Sequence, residues 1–422
     1  MSLFQPFTGS RHTVWLALGV GLLGLSGTAA GFVQNPAHAY HSYLLAFAYW
    51  VSISLGTLVM LCTFHASGAV WMTVLRRQME TIASGLTVGV LLFLPLLTGM
   101  KHLYVWADTE KAALGLHGHA WELMRHKAPF LNMVTFVVGT LLCFGTWALV
   151  SELLFKWSRD QDTRPGDEQP LRKMRALAAP ALVAIALTMS FAALAWLMSL
   201  EPLWFSSMYG VYYFAGSFLA AFAMVTLVTV VPEDERLQGA YVSEEHLHNL
   251  GKLQLAFTAF WAYIVFSQFL IIWHANQAEE APFFLARGLS RVAPAQAFGE
   301  HRVLSHSGDA WWPVSLFLML FHFALPFLFF LSSAAKKSRK YLAFMSVWLL
   351  LVHYIDLFWA VMPAKRLVTP ALTAPSLEWT DVTAFFGVGG ISVAFVWWRM
   401  HGRYAVPVND PALGASLRYQ QP

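Results

Sequence analysis

Tyr209-Gly-Val-Tyr-Tyr-Phe-Ala-Gly-Ser-Phe-Leu-Ala-Ala-Phe-Ala-Met-Val-Thr-Leu-Val-Thr-Val-Val231 runs without one charged side chain. About 20 apolar residues in a helix cross a hydrocarbon core of about 30 Å. In lipid such a segment must satisfy its own backbone, which a helix does and an open strand does not. Five more runs of this kind precede it: Thr13–Val33, Tyr43–Trp71, Ile82–Met100, Phe130–Phe155 and Ala176–Met198. Four follow: Leu253–Trp273, Trp312–Ser332, Tyr341–Met362 and Val382–Trp398, the last being the shortest. The expected fold class is an all-α integral membrane protein of about ten transmembrane helices, a single polytopic domain over residues 1–422.

Composition agrees. Of the 422 residues 57% are hydrophobic and 12% charged, against about a quarter charged in soluble domains. The net charge of +4 is small and lies in the loops, so it reads as orientation signal and not as a nucleic-acid surface. Both cysteines, Cys62 and Cys143, sit inside apolar runs, and no CxxC or CxxCH occurs. That excludes a disulfide framework, iron–sulfur ligation and covalent haem c in this chain. Gly27-Thr28-Ala29-Ala30-Gly31 offers small residues of the signal-peptidase kind, yet the run before it exceeds the usual h-region, so it is read as a span.

Lys and Arg set the orientation. Eighteen lie on the side of the N-terminus and nine on the other, and the excess belongs inside. Both termini are thus expected in the cytoplasm of a bacterial inner membrane. The outside loops are then Gln34–Ser42, Lys101–Pro129, Ser199–Met208, His274–Trp311 and Pro363–Asp381. Two of them are long, as loops that dock a partner are.

Ionisable groups are expensive in lipid, so each one inside a run is a functional candidate. His322 sits in the eighth run, His353 and Asp356 in the ninth, and Gln268 in the seventh. At about 1.5 Å per residue they lie about 15, 18, 22 and 22 Å from the ends at which their helices start. His353 and Asp356 are three apart and share a helix face. Pro326 follows His322 by four positions and displaces the carbonyl of residue 322 from the helical ladder. Three readings compete: a proton relay, a structural hydrogen-bond pin, and bis-His haem b between His322 and His353. The relay is the expectation, open inward through Ser346 and Ser332 as a half-channel. His65 and Glu152 read as interfacial.

The outer loop Lys101–Pro129 holds His102, Asp108, His117, His119 and His126. No Cys or carboxylate completes a metal set around His117-Gly-His119, so a docking surface is expected there. Glu201, before Pro202, marks the entry to the sixth run; a solvated carboxylate is the plain reading and a proton exit the functional one.

Several segments carry a resemblance. Trp196-Leu-Met-Ser-Leu-Glu-Pro-Leu-Trp-Phe-Ser-Ser-Met-Tyr-Gly-Val-Tyr212 is one, and Gly251-Lys-Leu-Gln-Leu-Ala-Phe-Thr-Ala-Phe-Trp-Ala-Tyr-Ile-Val-Phe-Ser-Gln268, continuing through Trp273-His-Ala-Asn276 and Glu279-Glu280, is another. His353-Tyr-Ile-Asp-Leu-Phe-Trp359 with Pro363, and the tail Pro407-Val-Asn-Asp-Pro411, complete it. Together they resemble the NrfD/PsrC-type membrane subunits of alternative complex III, a quinol:cytochrome c oxidoreductase, in family order over nearly the whole chain. The shorter, ActF-like subunit reads Leu55-Gly-Thr in its second helix, as here. The longer, ActC-like one resembles a quinol-oxidising subunit and has a His before that step, where this chain has Ser52-Ile-Ser.

The resemblance implies two four-helix bundles, spans 2–5 (about 43–198) and 6–9 (about 209–362), with spans 1 and 10 flanking. It also implies a periplasmic iron–sulfur subunit, a multihaem cytochrome c subunit and a second NrfD-like membrane subunit as partners. This chain would bind no cofactor, and quinol would be a substrate of the complex. Against this stand a secondary transporter, whose broken helices and midplane charge are nearly absent here, and a b-type cytochrome, which a Soret band would reveal.

Overall fold

Each apolar run forms a helix in the computed structural model, which describes residues 5–9, 11–108, 119–232, 237–275, 280–289, 301–369 and 374–420. Among these residues ten helices are long and apolar enough to cross a membrane. They are α1 (Arg11–Gln34), α2 (Pro36–Ser67), α3 (Val70–Thr98), α4 (Met133–Asp162) and α5 (Gln169–Leu200). The rest are α6 (Tyr209–Val230), α7 (Glu244–Ala275), α8 (Gly308–Phe329), α9 (Arg339–Val368) and α10 (Trp379–Met400). The protein is an all-α, multi-pass membrane protein. Its one described sheet is a two-residue pairing of β1 (Pro6–Phe7) with β2 (Arg403–Tyr404), which ties the two ends of the chain together on one face. That face is called the terminal face below, and the opposite one the far face.

α2 is the axis of the molecule: 89% of its apolar window is buried, against 28% for α1, 28% for α7 and 22% for α8. It packs on α4, α5, α6, α9 and α10, and α6 in turn packs on α7 and α9. Lipid tails are as apolar as leucine, so helices associate where small residues let backbones meet. α1 and α10 meet in this way. A Cβ on Gly24 would lie 2.5 Å from the backbone N of Gly387, and one on Gly390 2.5 Å from the N of Gly21. Thr28 Oγ1 closes the seam by donating to Thr383 Oγ1 at 3.2 Å.

Two stretches differ from expectation. Gln34–Ser42 was expected as an outside loop, but only Asn35 separates α1 from α2. Asn35 caps α2 by accepting from the backbone N of His38, and Pro36 takes the first turn, where its missing N–H costs nothing. His38, His41 and Ser42 are consequently buried in the helix. On the terminal face Arg76 and Arg77 fall between the second and third apolar runs, where the Lys and Arg distribution predicts loop charges. They are buried at the start of α3, where Glu80 pairs with both, Asp162 pairs with Arg77 and Asp410 of the tail pairs with Arg76.

Candidate functional site inside the helix bundle

α9 carries His353 and Asp356 on one face, both 2% exposed. The Asp356 carboxyl accepts from Tyr212 Oη on α6 at 2.7 Å through Oδ1. Its Oδ2 accepts from Trp261 Nε1 on α7 at 3.2 Å. Among the described residues no cation pairs with it, so two neutral donors alone hold this carboxyl in the apolar interior.

His353 Nε2 lies 2.9 Å from Ser52 Oγ of α2. Ser52 Oγ donates its own proton to the Tyr49 carbonyl at 2.7 Å, so it must accept from the histidine. Nε2 therefore carries the proton, and Nδ1 is the bare acceptor. Nδ1 is buried with no hydrogen-bond partner among the described residues. It faces Gly216 of α6: a Cβ there would lie 3.2 Å from His353 Nδ1 and 3.4 Å from Asp356 Oδ2. The bare nitrogen and the carboxyl oxygen thus flank one missing side chain.

His322 enters from α8, on a π-helical turn over Met319–Ala324 just before Pro326. Such turns recur at functional sites. Pro326 was expected to free the carbonyl of residue 322. The carbonyl that the structure shows engaged is that of Phe321, which accepts from Trp348 Nε1 of α9 at 2.8 Å. The His322 ring lies 3.8 Å from the Trp261 ring, centroid to centroid. Both of its nitrogens are buried without a hydrogen-bond partner among the described residues. Trp261 therefore stands between His322 and Asp356.

Gln268 is buried on α7, two turns from Trp261. Among the described hydrogen bonds none joins it to either histidine or to Asp356. Toward the terminal face Ser346 Oγ is buried without a hydrogen-bond partner among the described residues, about 10 Å along α9 from His353. Ser332 is exposed and caps the short helix Ser333–Lys337.

Glu201 departs from the solvated reading. It is 6% exposed and lies 2.8 Å from Arg287 and 2.5 Å from Arg366. Arg287 also donates to the carbonyls of Phe283, Trp359 and Ala360 and lies 3.6 Å over the Phe283 ring. Burial alone raises the Glu201 pKa. The two guanidiniums outweigh it and hold the carboxyl below its usual range. Burial likewise pulls Arg287 below the usual guanidinium value.

A second far-face cluster has no counterpart in the sequence reading. His38 Nε2 lies 3.0 Å from Asp381 and Nδ1 lies 3.0 Å from Glu378 and 2.7 Å from Lys365 Nζ. Asn35-Pro36, a helix-start signal directly before these histidines, was the available clue. His117 lies outside the described residues, as does the side chain of His119. His65 is buried, and Glu152 pairs with Arg399 at 2.7 Å. No family model matches this sequence, and no curated protein matches it significantly.

Proposed function

We propose that the chain is an integral membrane subunit of a quinol:electron-acceptor oxidoreductase of the alternative complex III kind, most like its ActF subunit. In this reading it spans the bacterial inner membrane with both termini in the cytoplasm and binds no cofactor itself. It anchors a periplasmic iron–sulfur subunit and a multihaem cytochrome c subunit beside a second NrfD-like membrane subunit. It also conducts protons through a half-channel.

The observation that carries the proton role is the pair His353 and Asp356. A bare Nδ1 and a carboxyl oxygen share the space beside Gly216, with no cation to lock the carboxyl as a fixed ion pair. Ser346 supports access from the terminal face. Glu201, held between two arginines, serves better as the seal of the far face than as an exit. The identity of the complex rests on the sequence resemblance, and the partners are tested by copurification of the native assembly.

The proton role is tested with Asp356→Asn. The amide keeps shape and hydrogen bonding and removes the titratable proton. The whole complex in proteoliposomes is expected to keep quinol oxidation and lose proton translocation coupled to it. An unchanged proton-to-electron ratio in the assembled variant leaves the carboxyl as a structural pin.

A further inference from the structure

On the terminal face, the end of α2, the start of α3 and the first turns of α5 leave a half-open cleft. Phe64, His65, Arg76, Leu171, Arg175 and Asp410 line it. We propose that this cleft binds the phosphodiester headgroup of an anionic membrane phospholipid. The proposal is independent of the quinol reading.

One polar group of the lining is orphaned. His65 is 6% exposed, and its Nε2 is buried with no hydrogen-bond partner among the described residues. The His65 ring is thus a polar group of the cleft wall that the described residues leave unsatisfied. Arg76 is already taken: Asp410 and Glu80 pair with it, and it donates to Gln161 at 2.7 Å. Arg175 is exposed and enters no ion pair among the described residues. Beside the cleft Arg76 and Arg77 are met by Glu80, Asp162 and Asp410, so Arg175 is the cation of the lining open to an anion.

Arg175 immediately precedes the apolar run that begins at Ala176, which puts its guanidinium at the level where headgroups meet hydrocarbon. Basic pockets between helices at this level take anionic headgroups. The walls beside Arg175 are apolar, with Leu61, Phe64 and Leu171, and they suit the first methylenes of an acyl chain. A diester phosphate suits this setting: it is monoanionic, it accepts from Arg175 beside the His65 ring, and it brings its own chains. A free phosphate leaves the apolar walls bare.

The test uses the full chain in detergent, with bound lipid read by native mass spectrometry. Phosphatidylglycerol, phosphatidylethanolamine with the same chains, and inorganic phosphate are compared. Phosphatidylglycerol is expected to be retained over phosphatidylethanolamine, and Arg175→Gln is expected to weaken its retention about fivefold. Lys173→Gln, an equal charge loss at a residue that does not line the cleft, is expected to leave retention unchanged. Equal retention of the two lipids overturns the proposal, as does an Arg175→Gln variant that binds like the parent. Displacement of the lipid by equimolar inorganic phosphate overturns the lipid and leaves an anion site. If Arg175→Gln does not fold, the comparison of the two lipids on the parent chain still decides.

Discussion

Tyr212 donates its phenolic hydrogen to Asp356 across 2.7 Å, joining α6 to α9 inside the bundle. Tyr212→Phe removes one of the two donors of the carboxyl and adds nothing in its place. A buried acceptor that loses its donor costs about 1–3 kcal/mol. The variant is expected to unfold earlier by that amount in detergent, with Tyr263→Phe, an exposed position on α7, as the neutral comparison. Equal thermal stability of the two variants contradicts the assigned bond.

Gly216 is the second point of leverage. A methyl at this position lies 3.1 Å from His353 Cε1, closer than side chains normally pack. Neither neighbour can yield easily, because Ser52 holds His353 while Tyr212 and Trp261 hold Asp356. Gly216→Ala is expected to destabilise by about 1–3 kcal/mol through overpacking and to abolish coupled proton transfer. Retention of full coupling would falsify the view that the space between His353 and Asp356 serves proton transfer.

Glu201 predicts a pH dependence with a definite sign. Its folded pKa lies below the usual 4.5 because of Arg366 and Arg287, against the opposing effect of burial. The stabilisation is therefore fully present above pH 4.5 and is lost as pH falls through the lower folded value. Glu201→Gln breaks the buried ion pairs and is expected to cost about 3–5 kcal/mol at pH 7. Its stability should also respond less than the parent's to acidification below pH 4.5. Parallel pH curves for variant and parent would contradict this account.

Sidedness follows from two exposed positions. Thr163 lies on the terminal face, and Leu377, 78% exposed, lies on the far face. Both native cysteines are buried, so background labelling is low. In intact cells an impermeant thiol reagent is expected to label Leu377→Cys and to spare Thr163→Cys. The opposite pattern reverses the orientation drawn from the Lys and Arg distribution.

The spans were legible because apolar length is a property of one contiguous stretch. His322, His353 and Asp356 were legible because ionisable groups stand out in such stretches. Their partners were not. Tyr212 and Trp261 belong to a chain with 13 Tyr and 18 Trp, and nothing local separates a hydrogen-bonding aromatic from one that faces lipid. Trp261 is 95 positions from Asp356, and Tyr212 is 144, so only the fold brings them together. The burial of Glu201 was hidden for the same reason, since Arg287 and Arg366 lie in other segments. His38 and His41 misled in the other direction: polar residues near a span end suggested a loop, while the Asn35-Pro36 cap had already started the helix.

The glycine seam between α1 and α10 bears on how the chain is made. Thr28 and Thr383, bonded within it, are 355 positions apart. At typical synthesis rates the ribosome takes roughly 20 to 70 s to cover that distance. For that interval α1 sits in the bilayer with its notched side facing lipid or whatever insertion factor holds it. α1 thus waits for its mate until α10 is made, and a stalled chain lacking α10 would expose that notch to the cell's membrane quality control.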